Sequence, residues 1–95
     1  MASTEPLVMS YVNNGFREPI TTDTLAACLR DASLAPHFRD HLASLFLEVP
    51  ISRIDSFAVA QAITYAELLC VWRWFSAHGR ETRPELDHWL SEMAT

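Results

Sequence analysis

The stretch from Phe57 to His78 constrains this chain most, because it is rich in apolar residues throughout and shows no continuous polar face at helical spacing. Phe57, Leu68, Trp72 and Phe75 fall on one side, and Val59, Ile63, Cys70 and Trp74 on the other. A helix that is apolar nearly all round has to be covered, by the rest of its chain or by a partner. The spacing predicts one long hydrophobic central helix over about 56–78, N-capped by Asp55 and closed by a left-handed Gly79. Its length approaches the ~20 apolar residues that cross a bilayer. Gln61, Glu67 and Arg73 speak against a span, since an ionised Glu or Arg near its centre costs roughly 2.5 to 3.5 kcal/mol. No membrane partner is expected.

Helix punctuation elsewhere is regular. Thr4 and Pro6 open a first helix over about 5–14, with Leu7, Val8, Tyr11 and Val12 on one face and Asn13-Asn14-Gly15 at its end. Phe16 to Thr21 reads as a connector. Thr22 or Asp23 caps a second helix that carries Leu25, Cys28, Leu29 and Ala32 and ends near Ser33. Pro36 starts a third, whose Phe38, Leu42, Leu45, Phe46 and Val49 form one apolar stripe stopped by Pro50. Thr82 and Glu85 form a capping box around Arg83-Pro84 ahead of Leu86, Trp89, Leu90 and Met93. No segment alternates like a strand. The expected fold is all-α: a compact bundle of about five helices around the central one, in a single domain over residues 1–95.

Composition removes several function classes. Hydrophobic residues make up 49% of the 95 and charged residues 20%, which is globular and not disordered. The net charge is −5, there is no Lys, and the seven Arg are scattered along the chain, so no nucleic-acid partner is expected. A helix-turn-helix across Val49 to Arg53 fails because the second helix offers Ala, Ile, Leu and Trp where base edges need polar groups. Cys28 and Cys70 lack redox or zinc spacing and read as buried thiols. Met1 is followed by no basic or apolar leader, which predicts a cytoplasmic protein.

Few residues suggest chemistry. His37 and His41, with Asp40 beside them, have the spacing of two imidazole ligands on one helix face, but lack the Glu and third ligand of a metal helix and read as a solvated face. Glu67 falls among Ala60, Ile63, Val71 and Trp74, so its carboxylate needs a partner, an Arg or His from another helix or chain. No nucleophile or second carboxylate accompanies it, and neither an enzyme nor a cofactor is expected. Ile54-Asp55-Ser56-Phe57 resembles the Asp-Ser-Leu motif of acyl and peptidyl carrier proteins. The resemblance implies a phosphopantetheine carrier modified at Ser56, although those proteins have a longer preceding loop and an acidic following helix.

The reading these features favour is a non-catalytic protein–protein interaction module: an adaptor, a small inhibitor or antidote, or an assembly subunit, self-associating as a homodimer. Trp72, Trp74, Trp89, Glu67 and Arg73 are the expected partner-binding residues. Ala58, Ala62 and Ala66 would line a small-residue ridge for close helix approach. A carrier-like domain or a helical ligand-binding protein is the alternative.

Overall fold

The computed structural model describes residues 5–80 and 82–95; Thr4, the expected first cap, lies outside them. Six α-helices and one 3-10 turn follow in order: α1 (Glu5–Val12), α2 (Thr22–Arg30), the turn (Ala35–Phe38), α3 (Arg39–Glu48), α4 (Ile51–Ala60), α5 (Tyr65–Gly79) and α6 (Pro84–Met93). No strand occurs among the described residues, so the all-α bundle holds.

The long central helix does not. It is two helices, α4 and α5, separated at Gln61–Thr64. The break needs neither Gly nor Pro, since none lies between Ile51 and His78. Ala62 takes the left-handed conformation at φ 56°, its N–H donates to the Val59 carbonyl (3.1 Å), and the Ile63 N–H reaches back to the Ala58 carbonyl (2.9 Å). That pair of bonds is a Schellman closure, which satisfies the last carbonyls of α4. Thr64 then caps α5: its Oγ1 accepts from the Glu67 N–H (3.1 Å), and Glu67 Oε1 accepts from the Thr64 N–H (3.0 Å). The driving force is burial of Ile63, which is 6% exposed and packs into the core as the residue that completes the turn.

Other boundaries shift for local reasons. α2 is capped by Thr21, whose Oγ1 accepts from the Thr24 N–H (3.1 Å), and not by Thr22 or Asp23. α4 begins straight after Pro50, so Asp55 sits inside the helix and is no cap; its Oδ1 accepts from the Tyr65 hydroxyl (2.8 Å) across the break. Gly79 stays helical, and Arg80 carries the left-handed φ of 55°. The expected box of Thr82 and Glu85 does not form. Arg83 precedes Pro84, and its guanidinium donates to the Phe46 (2.9 Å) and Val49 (2.7 Å) carbonyls, closing the end of α3 from the far side of the chain.

One contiguous core runs from Val8 to Leu90. α5 packs on α2, α3 and α6, and α1 packs on α3 and α4. At the centre Phe46, Trp72 and Phe75 meet with ring centroids 5.4, 5.6 and 6.1 Å apart, each ring almost fully buried. Burial of each contributes about 2 to 3 kcal/mol before packing geometry adds its share. Asn13 closes the connector after α1: its side-chain amide donates to the Ile20 carbonyl (3.0 Å), and its Oδ1 accepts the Ile20 N–H (2.8 Å). This ring of two bonds holds Ile20 in the core. Among the described residues no helix is long and apolar enough to cross a membrane.

Candidate functional site

Breaking the long helix gives α5 a solvent face. Ala66, Cys70, Arg73 and Ala77 point outward at spacings of four, three and four, while Leu68, Val71, Trp72 and Phe75 point inward. α5 is therefore not covered all round. Two shallow grooves flank the outward stripe. One runs along α2 and is lined by Arg30, Ala32, Glu67, Cys70 and Val71; the other lies beside the C-terminus of α6, between Leu69, Arg73 and Ala94. Small side chains on an exposed helix allow a second helix to approach closely. The ridge expected from Ala58, Ala62 and Ala66 is lost, since Ala58 is buried and Ala62 lies in the turn.

The five expected partner residues are split by this geometry. Trp72 is 1% exposed, and its indole N–H donates to Asp87 Oδ1 (3.0 Å), so its surface is consumed inside the fold. Trp74 is half-buried on the α5 surface and stacks on His78 with ring centroids 4.9 Å apart. Trp89, also half-buried, meets the Tyr65 ring edge-on at 5.8 Å beside the α4–α5 break. Arg73 is exposed on the stripe. Glu67 finds its hydrogen-bond partner on its own helix: the Thr64 N–H and hydroxyl hold its carboxyl below the ordinary glutamate range, and the Arg30 charge on α2 adds to that. The Thr-x-x-Glu pattern at 64–67 was present in the sequence as a start signal, and it marks the helix start that the apolar run concealed.

The remaining candidates resolve into structure. Ser56 is in mid-helix, with its hydroxyl donating to the Ser52 carbonyl (3.0 Å), whereas the carrier motif sits where a helix opens. His41 stacks on Phe16 at 4.1 Å, and its Nε2 lies 3.2 Å from the Glu18 carbonyl oxygen, so it fastens the connector to α3. A cleft of about 430 Å³ opens there, with His37, Arg39 and Asp40 on its rim. No group of three metal-ligating side chains occurs among the described residues. Cys28 is buried, and that burial, followed by the nearby Asp31 charge, pushes its thiol pKa up and leaves it inert. Cys70 is an exposed free thiol on the stripe. The Asp55 acceptor raises the Tyr65 hydroxyl, which stays protonated and bonded across the break. Large apolar side chains exposed elsewhere are Leu7, Leu34, Val59 and Met93, each in a different part of the chain.

Searches of family models, curated proteins and solved structures found no match to the chain.

Proposed function

We propose that this protein is a non-catalytic protein–protein interaction module that self-associates as a homodimer through the outward face of α5. One observation carries the reading: the exposed stripe of α5 is built of Ala66, Cys70 and Ala77, with half-buried Leu69 and Trp74 beside it and Arg73 and Glu67 at its margins. Small side chains there let the backbone of a second helix approach closely, and the half-buried Leu69 and Trp74 give such a contact an apolar margin. Trp74 supplies a rigid aromatic anchor of the kind that dominates interface energetics, and Arg73 a fork of donors at the edge. The surface is suited to an adaptor, an inhibitor or an assembly subunit, without catalysis, cofactor or nucleic acid. The two free thiols suit a reducing cytoplasm.

Sedimentation equilibrium at tens of micromolar tests the proposal, a range in which an interface of standard size stays closed. The parent chain is expected to sediment as a dimer and Ala66→Arg, kept folded throughout and never exposed to denaturant, as a monomer. A parent that is strictly monomeric there overturns self-association, and a dimer indifferent to Ala66→Arg removes the α5 face from it.

A further inference from the structure

The α4–α5 break spans Gln61–Thr64. Its four residues contain no helix breaker, yet the turn places Ala62, a residue with a Cβ, in the left-handed region that favours glycine. The sequence from Ile51 to His78 also satisfies a single straight helix, in which the N–H groups of residues 62–67 would find the carbonyls four residues before them. Two conformations of one segment thus compete: the turn, held by the Schellman bonds and the Thr64–Glu67 box, and the continuous helix, free of left-handed strain. The flanking packing divides at the same point. α4 rests on α1, while α5 rests on α2, α3 and α6. A straight hinge carries α5 and α6 away from their own α2 and α3, and exposes Leu68, Val71, Trp72 and Phe75 together with the groove that held them.

That exposure forbids an open monomer and selects one occupant for the vacated groove: the α5–α6 unit of a second copy, which restores every side-chain contact of the closed chain except those of the hinge itself. We infer that two copies exchange α5–α6 by straightening residues 61–64 into a continuous α4–α5 helix. Short strained hinge loops favour such exchange. The swapped dimer goes beyond face-to-face docking, because it uses the α2–α3 groove and leaves the outward stripe of α5 free.

The test uses the full chain in an Ala66→Arg background, which removes docking through the stripe. Each protein is refolded from denaturant at high concentration, and its dimer fraction is read by size exclusion with light scattering. Ala62→Gly relieves the turn and weakens the straight helix, so it is expected to raise the dimer dissociation constant at least tenfold, equivalent to about 1.4 kcal/mol. Thr64→Ala deletes the cap and improves the straight helix, so it is expected to lower that constant. The exchanged dimer is also expected to dissociate on dilution only as fast as the chain unfolds. Absence of dimer in the Thr64→Ala protein, or a dimer that both variants leave unchanged, overturns the exchange and says nothing against docking through the α5 face, which is read in the chain that keeps Ala66.

Discussion

The junction between α3 and α4 and the junction between α4 and α5 lie one helix apart and are built in opposite ways. At the first, Val49 is extended before Pro50, as the residue before a proline must be, and α4 starts on the next residue. The carbonyls left open there are closed by Arg83, from the other end of the chain. At the second, no residue forbids a helix. Ala62 accepts left-handed strain of about 1 to 2 kcal/mol because the turn lets Ile63 reach the core. The first junction is local in origin and finished from a distance; the second is dictated from a distance and finished locally, by Thr64 and Glu67. A bend marked by proline persists whatever the tertiary structure does, whereas a bend in a helix-competent segment lasts only while the core requires it.

The sharpest way to break this comparison is at Arg83. Replacing it with Met removes two charge-assisted bonds and leaves the Phe46 and Val49 carbonyls without them, an expected loss of about 3 kcal/mol in denaturant unfolding, with Arg83→Lys retaining part of it. Unfolding unchanged by Arg83→Met would show that proline alone makes the first junction. Next comes Ile63→Ala, expected to cost roughly 2 to 3 kcal/mol as a buried aliphatic side chain is cut back. A cost near that of a surface change would take away the driving force assigned to the second junction. Thr64→Ala should destabilise the monomer by about 1 kcal/mol as a lost N-cap, while the same change inside a continuous helix should stabilise it by a few tenths. Ala62→Gly inverts the logic, with an expected gain of roughly 0.5 to 1 kcal/mol at a left-handed position against a loss of about 1 kcal/mol in a helix interior. The signs of these two effects, read from thermal melts, decide between a broken and a straight segment.

The smallest expected effect is pH-dependent. Glu67 has its pKa lowered on folding, first by the Thr64 N–H, so its contribution is complete above the unfolded glutamate range, about 4.3, and fades as pH falls through the lower folded value. The stability difference between the parent and Glu67→Gln should therefore shrink as acid is added. A difference that grows on acidification would contradict the capping role of that carboxylate.

Much of the architecture could be read without coordinates. The apolar stripe Leu42, Leu45, Phe46 and Val49 is buried as its spacing required, Pro50 ends α3, and Pro84 starts α6. The site was less legible, because burial of one residue depends on which neighbours arrive. Helical spacing puts Trp72 and Trp74 on opposite sides of the segment without saying which side is covered, and Trp72 lies in the aromatic core while Trp74 lies on the surface. Two Thr-x-x-Glu patterns, at 64–67 and 82–85, look equally able to cap a helix, and only the first does so. Arg83 is drawn away to α3, a partnership between residues more than thirty positions apart that no local pattern encodes.

By itself the sequence determined the class of fold, since helical periodicity, proline positions and capping side chains act within a few residues and need no partner to be read. It also determined that the Ile51–His78 segment can be helical throughout, because no residue in it lacks a backbone donor or favours a left-handed turn. Only the tertiary structure decided that the segment bends at Ala62, that Glu67 serves the bend first with the Arg30 charge as a lesser influence, and that α5 shows solvent a stripe of Ala66, Cys70, Arg73 and Ala77. Helix propensity distinguishes those outcomes by about 1 kcal/mol, while burial of Ile63 and of the inward face of α5 outweighs it several-fold.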